Sequence, residues 1–491
     1  MALLVRPTTP GNWLVLAGTA IVLLSSAICF VNAFTMGHAM SGGHAVRSAA
    51  SDPLHGMPLS QMPEMYVAGI GLLLVVAGAA MPRAARPAPR AEHVRGRGVV
   101  AVIGTLALTI DISKTSTLGF VIPGMRAEYG LDARTASLLA VFGLAGTATG
   151  AVLFGVFADR FGRRSSYLLA TLGFTATSMC GTMPTFGGNL VMCLLMGVAV
   201  GGLAPLLITL LTDVIGGPSR GSVVVALSVV ATAVGYLVAA GTALWLEPVF
   251  GWRVLWLIGA PTGLVLVLLT PWVPNWTAER AAPAPSTPVQ VRAFSGGVQR
   301  AYALLIGLLT FGLTTWVPSL ARVSGVPVAT ANLLLTVASL IMVPCAVLMM
   351  FGYRRFGPTR IAVGMAVTTA AVLLGLTLSG AVSAVSWVGA LALVAALFAV
   401  NTMAAVFLPI AADLAAASSR GRTTGTVSLF NRIGGLCGPL LLAGLVSSTA
   451  DVLVAVAVLA LLCALAAWHI GRRHRMARVE AASSATTIPA P

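Results

Sequence analysis

Charge is scarce in this chain. Asp, Glu, Lys and Arg make up 9% of its 491 residues, acids number 13 against 29 bases, and lysine occurs once, at Lys114. A soluble domain of this length could not hide the rest, because 58% of the residues are apolar and the mean hydropathy is +0.96. Paired cysteines are missing too. Cys29, Cys180, Cys193, Cys345, Cys437 and Cys463 all fall in apolar stretches, with no loop spacing that would frame a disulfide or a zinc site. They are expected to be small core residues. No Walker-type lysine loop, HExxH pair or nucleophile elbow occurs, which argues against an enzyme or a nucleotide-driven pump, and no cofactor is expected. The basic excess does not point to nucleic acid either, since the arginines stand at the ends of apolar runs rather than along one soluble face.

What is present is a series of apolar windows of about 20 residues. Two lie near 12–34 and 66–82. Twelve more lie near 99–124, 135–156, 165–183, 190–212, 222–244, 253–273, 300–320, 328–352, 360–379, 386–412, 423–446 and 450–470. The pattern predicts an all-α membrane protein of about 14 transmembrane helices, two appended to a core of twelve. Arginine sets the direction, because short cytoplasmic loops retain positive residues. With both termini in the cytoplasm, Arg6, the arginines of segment 83–97, those of 160–164, Arg220, Arg280, Arg292, Arg300, Arg354, Arg355, Arg360, Arg420, Arg422 and the tail arginines all fall inside. Only Arg47, Arg126, Arg134, Arg253 and Arg322 fall outside. The alternative for the first span is a secretory signal with Arg6 as its charged region, although its apolar core is long for that role.

The core repeats itself. Asp213-Val-Ile-Gly-Gly-Pro-Ser-Arg220-Gly221 is echoed 200 residues later by Asp413-Leu-Ala-Ala-Ala-Ser-Ser-Arg420-Gly421, and Arg160-Phe161-Gly162 returns as Arg355-Phe356-Gly357. Between the halves, Ala281-Ala-Pro-Ala-Pro-Ser-Thr-Pro288 reads as a hydrophilic linker. Repeats of this kind place a transporter's site at their interface.

Between the second and third core spans runs Gly155-Val-Phe-Ala-Asp159-Arg160-Phe-Gly162-Arg163-Arg164. This resembles the loop joining the second and third helices of major facilitator superfamily transporters. The resemblance covers about residues 99–470 and implies two six-helix bundles, at 99–274 and 300–476. Around them stand an appended hairpin (1–98), a cytoplasmic linker (275–299) and a disordered tail (477–491). It further implies alternating access, with the loop as a conformational latch. In the family the aspartate matching Asp159 meets the inner end of the eleventh core helix, here the region of Arg420 to Arg422. A loop arginine pairs with an acid at the inner end of the fourth, here Asp213 for Arg163 or Arg164. The plain alternative is that these charges only fix topology. The family's antiporter signature, a glycine-proline pair in the fifth core helix, is represented by Val234-Gly235-Tyr236 without the proline. The fourth-helix stretch from Met196 to Pro205 looks more like the metabolite and organic-acid symporters, though those often carry arginine where Met196 stands.

Charge inside a span is costly, so Asp111, Lys114 and Arg432 are the candidates for substrate or proton binding. Lys114 lies about 15 positions into the first core span, roughly 22 Å along it. Asp111 is three residues earlier on the same face, within pairing reach. Either Asp111 carries a proton while Lys114 meets an anionic substrate, or the two form a permanent ion pair. Arg432 stands beside Asn431 where the first half has Thr232. Its planar fork suits carboxylate or phosphate, and the alternative is pairing with a buried acid or snorkelling. Asn401, Trp316 and Trp387 are further candidates for the site or, for the tryptophans, for the membrane interface. The expected function is proton-coupled secondary transport of a small organic anion by a monomer in the cytoplasmic membrane. Its partners would be that substrate, protons and the lipid bilayer. Drug or natural-product efflux is the first alternative. The second is copper-related transport or sensing, because the loop between the appended spans holds Met36, His38, Met40, His44, His55, Met57, Met62 and Met65. A flexible loop with no metal role is the plainer reading of that cluster.

Overall fold

A computed structural model of the chain describes residues 9–41, 62–81, 97–178, 183–215, 220–273, 296–323, 328–380, 386–414, 420–445 and 448–486. Among the described residues there is no strand, and the helices are α1 (Pro10–Ser41), α2 (Pro63–Ala80), α3 (Arg97–Tyr129), α4 (Ala133–Phe161), α5 (Arg163–Thr177), α6 (Phe186–Gly201), α7 (Leu203–Val214), α8 (Arg220–Trp245), α9 (Glu247–Phe250), α10 (Val254–Leu257), α11 (Gly259–Leu269), α12 (Gly296–Val323), α13 (Val328–Phe356), α14 (Pro358–Leu378), α15 (Ser386–Leu414), α16 (Arg420–Ala443) and α17 (Thr449–Thr486). Twelve of the described helical stretches are long and apolar enough to cross a membrane, or 13 when a bent pair counts as one span.

The departures from the expected spans have local causes. The fourth core span is broken between α6 and α7 at Gly202, where Pro205 has no N–H to return to the carbonyl of Gly201. The sixth is broken between α10 and α11 at Ile258, with Pro261 just beyond, and ends in a 3-10 turn over Thr270–Trp272. In α13 the arms Leu333–Cys345 and Val347–Phe356 meet at 43°, next to Pro344. The first span runs on to Ser41, so His38 and Met40 stand on helical backbone rather than in a loop. Within the tail expected to be disordered, α17 continues to Thr486 through Ala-Arg-Val-Glu-Ala-Ala, all but valine strong helix formers, and residues 487–491 lie outside the described residues.

The repeated Arg-Phe-Gly turn is real in three dimensions. Gly162 (φ 91°, ψ 157°) and Gly357 (φ 84°, ψ 168°) occupy the same conformation, one nearly closed to side chains, and each lets the next helix begin at the following residue. At the other end of α4, Asp132 caps the helix by accepting from the backbone N–H of Thr135.

The chain divides into two compact units, residues 1–207 with 235–279 and residues 208–234 with 280–491. Lipid is as apolar as leucine, so spans associate through close backbone approach rather than hydrophobic burial. In the first unit, a Cβ on Gly146, Gly150, Gly197 or Gly201 would overlap a carbonyl oxygen across the α4–α6 contact. The second unit repeats the device between α12 and α16 with Gly307 and Gly434. The appended α1 and α2 meet through Gly18 and Gly78 in the same way. Val15, Leu16, Val22, Ala68 and Val75 of this hairpin then share a core with Leu168, Leu172 and Ala176 of α5 and Val267 of α11. Gly197→Ala is therefore expected to lower the melting temperature of detergent-solubilised protein by roughly 2–10 °C, from an overpacking cost of about 1–3 kcal/mol. Gly364→Ala, where nothing lies within 4 Å, should leave it unchanged.

Candidate functional site

In the first unit α3 presents Asp111 and Lys114, both 4% exposed. Lys114 opens on a small recess that α3, α4 and α6 line with Thr115, Leu118, Leu144, Thr147, Met196 and Val200. A lysine buried this deeply needs acceptors. It finds them in backbone: its Nζ donates to the carbonyls of Leu255 and Trp256, each at 2.9 Å. Those carbonyls lie in α10, a single turn that stops at Ile258, so the break in the sixth core span supplies the partial negative charge of a helix C-terminus. Gly259 makes the approach possible, because a Cβ there would stand 2.8 Å from Cε of Lys114. To the expected neighbour Asp111 the structure thus adds two backbone acceptors for Lys114. Asp111 lies buried one turn away, and the ammonium is held by carbonyls 141 and 142 residues further along the chain.

A second polar cluster, absent from the sequence reading, joins the ends of the same helices. Arg253, 2% exposed, grips Glu128 of α3 through two hydrogen bonds of 2.5 and 2.7 Å. Nε1 of Trp252 donates to the same carboxylate at 2.8 Å, and the guanidinium carbon lies 4.4 Å from the Trp252 ring centroid. Arg253 also donates to the Tyr129 hydroxyl at 3.1 Å, which accepts from Asn189 of α6 at 3.2 Å. A clue was visible: Arg253 is one of the few arginines that defy the charge bias of the loops, and such a residue calls for an acid.

In the second unit Arg432 and Asn431 are both 6% exposed and Asn401 is 7% exposed. Asn431 Nδ2 donates to the carbonyl of Ala303 at 3.1 Å, which makes it a tie between α16 and α12. The Arg432 guanidinium lies 5.9 Å from the centroid of the Phe311 ring. Trp316 is fully buried, with Nε1 donating to the carbonyl of Pro439 at 2.8 Å, a tie between α12 and α16. The side chain of Trp387 lies outside the described residues.

Of the loop from Gly155 to Arg164, Arg164 is the informative member. Its Nε donates to the carbonyls of Thr270 at 3.2 Å and Val273 at 2.9 Å, and Nη2 reaches that of Pro271. It therefore caps the end of the sixth core span within its own unit. Arg160 is exposed and Arg163 half-buried, while the side chains of Asp159, Asp213 and Arg420 lie outside the described residues. So do those of the weak metal candidates His38, Met40, His44, His55 and Met57. Among the described residues no group of three or more His, Cys, Asp or Glu side chains is placed to hold a metal ion. Of the cysteines, Cys29, Cys193 and Cys463 are buried as expected, whereas Cys437 is exposed.

Residues 104–408 match the family model described as Major Facilitator Superfamily. The chain is 32% identical over 230 residues to a cis,cis-muconate transport protein of Acinetobacter baylyi, covering 44% of this chain and 55% of that one. It is 29% identical over 175 residues to a niacin transporter of the same organism, covering 35% and 39%. The chain thus spans about half the length, or less, of these curated relatives. Among solved structures, the human organic anion transporter MFSD10 aligns with a TM-score of 0.58 at 18% identity, over 77% of this chain and all of that one, a likeness of fold.

Proposed function

Because the chain belongs to the major facilitator superfamily, we propose that it moves a small organic anion across the cytoplasmic membrane by alternating access, coupled to protons. The observation that carries this reading is Lys114: the only lysine of the chain, buried within a span and opening on a recess between three helices. An intramembrane cation without a task is costly. The named cargoes of the two relatives, cis,cis-muconate and niacin, are carboxylic acids, which supports the same class. Within the second unit, Arg432 is a further cationic group suited to a carboxylate, with Asn431 beside it in sequence and Asn401 on α15 as neutral polar candidates. Asp111, one turn from Lys114, is the group that takes up and releases the proton. The loop from Gly155 to Arg164 acts as the latch, supported by the cap that Arg164 places on the sixth core span.

Proteoliposomes with an imposed inward proton gradient test the reading. Uptake of cis,cis-muconate, nicotinate or benzoate is expected to rise with the gradient, and protein that is folded and inserted yet moves none of them overturns it. In Asp111→Asn, anion exchange at equal pH should persist while the gradient no longer accelerates uptake. A gradient response equal to wild type removes Asp111 from the proton path.

A further inference from the structure

We propose that Glu128 and Arg253 are positioning residues for Lys114, acting through α10. The inference rests on the reading of Lys114 as the group that meets the anion. Its geometry begins with a short helix: α10 has four residues and is bounded by the break at Ile258. Two attachments to α3 locate it. At one, Arg253, the residue immediately before α10, closes its fork on Glu128 at 2.5 and 2.7 Å. At the other, the carbonyls of Leu255 and Trp256 take the Lys114 ammonium at 2.9 Å each.

The two attachments are mechanically in series, because only Val254 separates Arg253 from the first of those carbonyls. Two acceptors fix the direction of an ammonium group, so an anion that reaches Lys114 meets a cation whose aim the carbonyls have set. The clasp in turn fixes the carbonyls. Its shape favours this task over a simple charge pair: a planar bidentate contact resists rotation, Trp252 Nε1 binds the same carboxylate, and Tyr129 and Asn189 extend the hold to α6. Neither Glu128 nor Arg253 borders the recess itself. Their effect on transport passes through Lys114.

Glu128→Gln keeps an acceptor for Trp252 but removes the charge, and Arg253→Lys keeps the charge but removes the fork. In proteoliposomes supplied with cis,cis-muconate, nicotinate and benzoate as probe anions, both variants are expected to raise KM about 5- to 10-fold with kcat within about twofold, the signature of a misaimed binding group. If neither variant reaches the membrane, Trp252→Phe, which drops one bond to Glu128 and spares the ion pair, carries the same measurement. Wild-type KM in folded variants, or a fall in kcat with KM unchanged, overturns the inference, provided Lys114→Gln abolishes uptake. If Lys114→Gln transports normally, it is the reading of Lys114 that fails.

Discussion

Lys114→Gln is expected to reduce carboxylate uptake on the order of 100-fold, about 2.7 kcal/mol at 1.36 kcal/mol per tenfold, with little loss of folded protein. Glutamine is one bond shorter, but its amide keeps two N–H donors directed toward the α10 carbonyls, which a small adjustment can bring within reach. The break in the sixth core span therefore stays closed, and what disappears is the positive charge. Lys114→Arg should not restore transport. The stem of Lys114 passes Gly259 so closely that a single added methyl group there would stand 2.8 Å from Cε, and a guanidinium is wider than the ammonium it would replace. Uptake from purified protein of matched melting temperature checks both variants. Transport by Lys114→Gln within a few-fold of wild type would leave Lys114 as a structural pin for α10 and nothing more.

The contrast between Lys114 and its acceptors shows what the sequence could and could not reveal. A lone lysine in an apolar run announces itself, because a charged side chain is among the most expensive to place there. Its acceptors are main-chain oxygens at a helix break, and any residue type carries such an oxygen. Only Gly259 and Pro261 hinted at the break, in a chain with 53 glycines and 27 prolines. The two-fold repeat was legible for a different reason. The Arg-Phe-Gly turn demands glycine at positive φ twice, so the same conformation is written in the same letters at Gly162 and Gly357. The carbonyl partners of Arg164 were not legible because a guanidinium with five donors is well served by the main-chain oxygens that end a helix, which no side chain announces. Glu128 went unnoticed because it closes a span and reads as an ordinary boundary residue, until Arg253 is asked why it lies on the wrong side.

Arg432→Ala is the second large effect, and here the sign of the stability change separates function from architecture. An arginine at the middle of a span disfavours insertion by about 2.5–3.5 kcal/mol. The repeat shows that the fold does not require it, since Thr232 fills the corresponding place in the first half and is equally buried. The close approach of α12 and α16 is set by Gly307, Gly434 and the bond from Asn431 to Ala303, with the Arg432–Phe311 contact a smaller addition. Removing Arg432 should therefore leave the melting temperature unchanged or raise it, while carboxylate uptake falls on the order of 100-fold, again about 2.7 kcal/mol. Arg432→Lys should recover only part of that loss, because it restores the charge without the two-pronged contact a carboxylate can accept. An arginine kept as half of a buried ion pair predicts the reverse, a loss of about 3–5 kcal/mol in stability when its partner is left alone, with transport lowered only as far as folded protein is lost. Thermal melting and uptake measured on the same preparation decide between the two.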